Sequence, residues 1–216
     1  SLIYQGVTKL GFKNAVIKIN SRLVLSAILD QAGLKTNQNP LLQSLDKIDK
    51  ISQDGVKNEL KSKGLTDPQI DQIFNSIKRA QPDQNLKQVL DLLPSFGLPS
   101  SAYVFDPTLV RGCDYYTGTI FEVKVDQPQI GALGGGGRYD NLIKTLGGPQ
   151  IPAVGFSFGF ERLVDVITQL NLLPSSDQTG PKVLVGNLGP DTQTNILELT
   201  SQLRDQNISS IIYPDP

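Results

Sequence analysis

Histidine, methionine and tryptophan are absent from this 216-residue chain, and cysteine occurs once, as Cys113. Each absence excludes something. Without histidine the chain lacks both the usual general base and the commonest metal ligand. A single cysteine rules out an internal disulfide framework and a cysteine-cluster zinc site. With no methionine, residue 1 is not a native translation start, so a fragment or a processed chain is expected. No apolar run approaches the roughly 20 residues of a membrane span, and no signal-peptide pattern opens the chain. A cytoplasmic location and no membrane partner are therefore expected. The net charge of −1 gives no general attraction to nucleic acid but leaves room for a local basic surface. The remaining composition, 38% apolar and 19% charged, is ordinary globular, enough for one sizeable core or a few small units.

The pattern along the chain changes character several times. "NAVIKIN" (14–20) sets Ala15, Ile17 and Ile19 against Val16, Lys18 and Asn20, a half-buried strand. Asn20 or Ser21 can cap the helix that follows, and Gly33 stands where it should stop. From 36 to 90 the chain is polar, with Ile48/Ile51, Val56/Leu60 and Ile70/Ile73/Phe74/Ile77 at helical spacing. Thr66-Asp67-Pro68-Gln69 opens one of these helices with a cap and a first-turn proline. Its lysines alternate with acids and predict a solvated surface. Between 112 and 159 lie eleven of the twenty glycines and the tyrosines 115, 116 and 139. There "TIFEVKV" (119–125) alternates as a strand, and "RYDNLIKTLGG" (138–148) reads as a short helix. "PAVGFSFG" reads as a buried strand running into a helix with Phe160, Leu163, Val164, Ile167 and Leu170 on its apolar face. A linker is expected over 171–181. Beyond it, strand, helix and strand form one βαβ unit, with Ile196, Leu199 and Leu203 on the helix's inner side.

Several stretches could carry chemistry. Gly155-Phe156-Ser157-Phe158-Gly159 spells the G-x-S-x-G of a hydrolase elbow. That mechanism needs a histidine after the serine, and the 59 residues downstream of Ser157 hold none, so hydrolysis is set aside. Arg162 and Arg138 are both read in the first turn of a helix, where a cation opposes the helix dipole. A polyvalent anion such as a triphosphate would justify either one; each is also explained by pairing with Asp140, Glu161 or Asp165. In "LVRGCDYYTG" (109–118), Arg111, Asp114, Tyr115 and Tyr116 crowd together. If this part is extended, the two tyrosines point to opposite sides. Cys113 is read as a buried, inert thiol. The run Gly134–Gly137 lacks the ending of a P-loop and the spacing of a dinucleotide fingerprint.

Taken together, "LVRGCDYYTGTIFE", "GGRYDNLI" and "PAVGFSFGFERL" resemble, in order and spacing, the histidyl-tRNA synthetases, a family of class II aminoacyl-tRNA synthetases. The first two resemble that family's histidine-recognition segments, the third its motif 3, and the resemblance covers nearly the whole chain. It implies an α+β fold: the C-terminal half of the antiparallel-sheet catalytic core, with a helical insertion and a truncated α/β anticodon-binding domain. The implied boundaries are 1–33 and 99–173 for the core, 34–98 for the insertion and 182–216 for the anticodon-binding domain. It further implies ATP-dependent ligation of histidine to tRNA(His) through histidyl-adenylate, by a cytoplasmic homodimer. ATP with Mg2+ would be the substrate complex, with no protein-bound metal. Arg111 would be catalytic, contacting the α-phosphate, and Arg162 would stack on adenine and reach the γ-phosphate beside Gly159. Tyr116 and Tyr139 would line the histidine pocket, with Gly135, Gly136 and Gly155 keeping backbone close to substrate. Asp114, Arg138 and Glu161 would support these groups.

The chain departs from the family pattern at Cys113, where an aliphatic residue is usual, and in "LGGGG", where alanines are common. Segments resembling motifs 1 and 2 would precede residue 1, and most of the anticodon domain would follow residue 216. The fragment alone is therefore expected to be inactive or severely impaired. Two other classes share the fold: the histidine-binding regulatory subunit of ATP phosphoribosyltransferase, and the synthetase-like region of a stress kinase. Arg111, Glu161 and Arg162, together with the βαβ continuation, favour the synthetase.

Overall fold

The structure, a computed structural model, describes residues 1–128, 130–172 and 180–213, in two compact units divided between Leu172 and Leu173. Gln129, residues 173–179 of the expected linker and residues 214–216 lie outside the described residues.

The first unit is built on a five-stranded sheet. β1 (Ala15–Ser21) lies between β2 (Tyr103–Phe105), to which it is parallel, and β3 (Thr119–Val125), to which it is antiparallel. β4 (Gly134–Tyr139) and β5 (Ala153–Phe158) continue the antiparallel run, giving the order β2-β1-β3-β4-β5. Ala15, Ile17 and Ile19 are buried on one face, as the alternation predicts. They meet α1 (Leu2–Lys9) through Ile3 and Val7, and α8 (Phe160–Gln169) through Leu163 and Val166. Asn20, on the other face, is also fully buried; its Nδ2 donates to the Leu109 carbonyl at 2.9 Å and ties β1 to the segment before Arg111. Ser21 is the cap of α2 (Arg22–Gln31), its Oγ accepting from the Leu23 amide at 3.2 Å.

The polar stretch folds as four helices, α3 (Asn39–Leu45), α4 (Ile48–Ser62), α5 (Asp67–Arg79) and α6 (Gln84–Leu92). Ile70, Ile73, Phe74 and Ile77 of α5 are all buried, in one core with α2, α3, α4, Leu109, Val110 and Tyr116. Most of the lysines on α4 and at its ends are paired: Lys47 and Lys63 with Glu59, Lys57 with Asp71 and Lys61 with Asp67. Ile51 departs from the helical pattern. It is exposed because α4 is kinked at Ser52, whose φ of 64° and ψ of 169° interrupt the helical spacing.

Other expectations change as well. The glycines 134–137 form strand β4, so Arg138 and Tyr139 end a strand rather than begin a helix; α7 is only Leu142–Thr145. β5 is not buried: it is the last strand in the order, with Val154 and Phe156 exposed. On α8 the buried residues are Leu163 and Val166, while Val164 and Phe160 face outward. In the second unit β6 (Val183–Val185) pairs in parallel with β7 (Ser210–Ile212), joined through α9 (Gln193–Asp205). There Ile196 and Thr200 are buried and Leu199 is exposed, which shifts the inner stripe to the i, i+4 pair.

Candidate active site

Register places one row of residues straight across the sheet. Lys18 lies opposite Glu122, Glu122 opposite Gly135 and Gly135 opposite Ser157. Directly opposed residues share a face, so this row presents a cation, an acid, a bare backbone and a small side chain in sequence. Arg111 lies over its centre. Its Nη1 donates to Glu122 Oε1 at 2.8 Å, and its guanidinium occupies the space a Gly135 side chain would take.

The next row along β4 behaves in the same way. A Cβ on Gly137 would come within 2.8 Å of the Tyr116 ring, and one on Gly155 would collide with the Tyr139 hydroxyl. Gly134 and Gly136 face the other side, where Phe158 and Phe156 lie against them. The glycine run is thus a strand stripped of side chains so that aromatic rings and a guanidinium can lie directly on the sheet.

The segment before β3 is not extended. Asp114 and Tyr115 form a turn, so Tyr115 and Tyr116 do not point to opposite sides. Their ring centroids are 4.5 Å apart, and Tyr139 stands 5.9 Å and 6.5 Å from them. Tyr116 is buried, with the Arg111 guanidinium 5.8 Å from its ring centroid. Hydrogen bonds with Tyr116 and Cys113 push the Tyr115 hydroxyl above the usual tyrosine range.

A cavity of about 470 Å3 opens beside this cluster, lined among others by Arg111, Cys113, Glu122, Gly135, Gly159 and Arg162. Arg162 falls in the first turn of α8, as expected; its Nη1 donates to the Ala132 carbonyl at 3.0 Å. Ser157 lines the same cavity as a small, exposed residue on β5. Arg111, Arg162, Gly135 and Gly159 are therefore brought together around one space, while Tyr116 and Tyr139 pack beside each other on the same face, with Tyr139 against Gly155. Gly136 belongs to the opposite face. Arg138 pairs with Asp140 at 2.9 Å, Thr117 Oγ1 also donating to that carboxylate, which fastens the turn to the end of β4. Asp114 and Glu161 are exposed.

Two carboxylates that sequence reasoning missed stand against Arg111. Burial pushes the Glu122 carboxyl above its ordinary range, and the Arg111 charge opposes that rise. Asp46, at the end of α3, is also raised by burial, and the Lys50 and Arg111 charges oppose that rise. Glu122 could have been found from its place on the polar side of "TIFEVKV"; Asp46 has no local signal. Cys113 is only partly buried and lines the cavity, contrary to the buried thiol expected. Among the described residues no three acidic or cysteine side chains are grouped to hold a metal ion. Two arginines, Arg111 and Arg162, face the cavity, with Asp46 and Glu122 on its wall offsetting part of their charge; paired guanidinium donors of this kind suit a polyphosphate.

A mixed, mainly antiparallel sheet with a guanidinium and glycines on its open face is the class II synthetase catalytic fold, and solved structures agree. The histidyl-tRNA synthetase of Nostoc sp. PCC 7120 superposes with a TM-score of 0.66 at 24% identity, over 100% of this chain and 56% of that one. An ATP phosphoribosyltransferase regulatory subunit/histidyl-tRNA synthetase from Bacillus halodurans C does so with a TM-score of 0.61 at 21% identity, over 97% and 57%. The family described as Histidyl-tRNA synthetase matches residues 1–163. The histidine–tRNA ligase of Cytophaga hutchinsonii is 37% identical, across 100% of this chain and 52% of its own length. That of Clostridium tetani is 34% identical, across 99% and 53%. The chain belongs to the histidyl-tRNA synthetase family, and it spans about half the length of the curated relatives it matches.

Proposed function

We propose that the protein carrying this chain joins histidine to tRNA(His) in two ATP-dependent steps, and that these residues supply the histidine pocket and part of the ATP surface. The observation behind this reading is the convergence of Arg111 and Arg162 on one glycine-floored cavity, with Tyr116 and Tyr139 beside it. In the first step a carboxylate oxygen of histidine attacks the α-phosphorus of ATP; the new O–P bond forms as the bond to pyrophosphate breaks. Negative charge grows on the α-phosphoryl oxygens, and Arg111, fixed by Glu122, stabilises it without any proton transfer. Arg162 takes the adenine face and the γ-phosphate, Gly159 allowing close approach. Tyr116 and Tyr139 hold the imidazole by hydrogen bonds that other amino acids leave unmade. Magnesium enters with ATP. A terminal hydroxyl of the tRNA then displaces AMP from the adenylate. The working protein is a cytoplasmic homodimer, and residues 182–216 begin its anticodon-binding domain.

The test is histidine-dependent exchange of pyrophosphate into ATP. The full-length protein should support it, and Arg111→Ala should lower it by about 10²–10³-fold. The 216-residue chain alone, which shows no stretch resembling motif 2, should not. No exchange by the full-length protein overturns the reading; robust exchange by the 216 residues overturns the second claim. A regulatory role in the manner of the Bacillus halodurans neighbour's name would give histidine binding without exchange.

A further inference from the structure

Arg111 is carried to the sheet by a turn that follows β2, and β1 holds that turn at three consecutive residues. Lys18 Nζ meets Asp106 Oδ2 at 2.7 Å, and the Ile19 carbonyl accepts from the Asp106 amide at 2.9 Å. Asn20 Nδ2 donates to the Leu109 carbonyl at 2.9 Å and to the Pro107 carbonyl at 3.3 Å. Within the turn, Asp106 Oδ1 accepts from the Thr108 amide at 2.9 Å, and the Asp106 carbonyl accepts from the Leu109 amide at 3.0 Å. Leu109 and Val110 are then buried. Only Val110 separates the carbonyl held by Asn20 from Arg111.

An amide is an awkward residue for the place Asn20 occupies. It is fully buried, opposite the fully buried Ile120, in the row that Gly137 and Gly155 continue across the sheet. Its Oδ1 is buried with no hydrogen-bond partner among the described residues. An orphaned acceptor of this kind costs stability. What the amide supplies against that cost is a donor aimed at the carbonyls of one turn. Turn carbonyls can be satisfied by water, which leaves the turn free to shift. Here a side chain of the neighbouring strand takes that part and ties the turn to the sheet.

Building on the synthetase reading above, we propose that Asn20 is a positioning residue for Arg111. By holding the 107 and 109 carbonyls it sets the height and direction at which the guanidinium lies over Gly135 and reaches Glu122. Arg111 is thereby held at both ends, its backbone from β1 and its guanidinium from β3. The Lys18–Asp106 pair fastens the start of the same turn, but it is partly exposed and farther along the chain from Arg111, so it contributes less.

Two measurements on the full-length protein decide between positioning and plain structural support. The first is histidine-dependent pyrophosphate exchange. Asn20→Ser is too short to reach both carbonyls and should lower kcat roughly ten- to a hundred-fold, the effect of a catalytic group displaced by about an ångström, with the histidine KM within about twofold. Asn20→Leu keeps the volume, loses the donor and should fall as far. Ile28→Ala, a truncation in the core that also holds Leu109 and Ile120, should cost stability yet leave kcat within about twofold. Combined with Arg111→Lys, Asn20→Ser should add little, because both act on one group. Full additivity with Arg111→Lys, an unchanged kcat in the Asn20 variants, or an equal loss in Ile28→Ala overturns the proposal. Amide hydrogen exchange reads the tether without any activity. In Asn20→Ser the Thr108 and Leu109 amides, both bonded to Asp106, should lose protection while the amides of α5 keep theirs. Protection retained at 108 and 109, or lost equally in α5, overturns the proposal even in a protein that exchanges no pyrophosphate. Local loss in such a protein sustains the tether and sinks only the synthetase reading.

Discussion

The Arg111 guanidinium rests directly on Gly135, filling the volume that any side chain at 135 would need. The relationship is reciprocal. The glycine gives the arginine a backbone surface to lie on, and Glu122, the cross-strand neighbour of Gly135, fixes it there at 2.8 Å. The guanidinium is thus held against the sheet by a cross-strand acid rather than left free on a loop.

Gly135→Ala is the direct test. The new methyl would overlap Arg111 Nη1 and sit 2.8 Å from the Phe121 carbonyl oxygen. The arginine can swing away, but the Phe121 backbone is held in the ladder. Stability should fall by about 1–3 kcal/mol by overpacking, and exchange activity by roughly a hundred-fold as Arg111 is displaced. Thermal unfolding and pyrophosphate exchange read the two effects separately. Unchanged exchange would show that Arg111 does not work from this position.

Glu59 sets a pH signature for the helical region. Hydrogen bonds from Lys47, then Ser44 and Lys63, lower its carboxyl from an ordinary 4.5 to about 2. A folded pKa below the unfolded one means the unfolded chain binds more protons between those values, so stability rises with pH across that window. The contribution is complete above about pH 4.5 and disappears as pH falls through about 2. Chemical denaturation at several acid pH values should show this slope, and Glu59→Gln should flatten it. A slope identical in the variant would remove Glu59 as its source.

Ser52 holds a conformation, φ 64° and ψ 169°, that is nearly reserved for glycine. Ser52→Gly should therefore stabilise the protein by about 1 kcal/mol, the relief of backbone strain outweighing the added freedom of the unfolded chain. Urea denaturation measures the difference. Destabilisation would mean that the kink is not strained.

The sequence shows some of this plainly and conceals the rest for physical reasons. The burial of Ile70, Ile73, Phe74 and Ile77, and the Ser21 cap, follow from local spacing, because the forces that set them act within one helix. The strand at Gly134–Gly137 is hidden because glycine has little strand preference of its own. It is a strand only because Arg111, Tyr116, Phe156 and Phe158, all distant in sequence, cover both its faces. Arg111 and Arg162 could be singled out because each lies in a motif of unusual density. Asp46 could not: it is one acid among many in a polar stretch, and its place on the cavity wall depends on contact with a glycine far down the chain. The pairing of Tyr115 with Tyr116 is hidden because alternation applies to strands, and this segment is a turn.

The tyrosines separate by where they lie. The Tyr116 ring is buried against Gly137 and near Arg111, with the Tyr115 ring centroid 4.5 Å away. The Tyr139 hydroxyl instead lies over Gly155, on the face shared with Gly135 and Gly137. Tyr139→Phe keeps the ring packing and removes only that hydroxyl, so it should raise the histidine KM roughly ten- to a hundred-fold, the cost of one lost partner in a closed pocket. The KM for ATP should stay within about twofold, since Arg111 and Arg162 are untouched, and kcat should change far less than histidine KM. Tyr116→Ala should act on both, because it removes the ring that lies near Arg111 and beside Tyr139. An ATP KM that rises as much as the histidine KM in Tyr139→Phe would place Tyr139 in the wrong pocket.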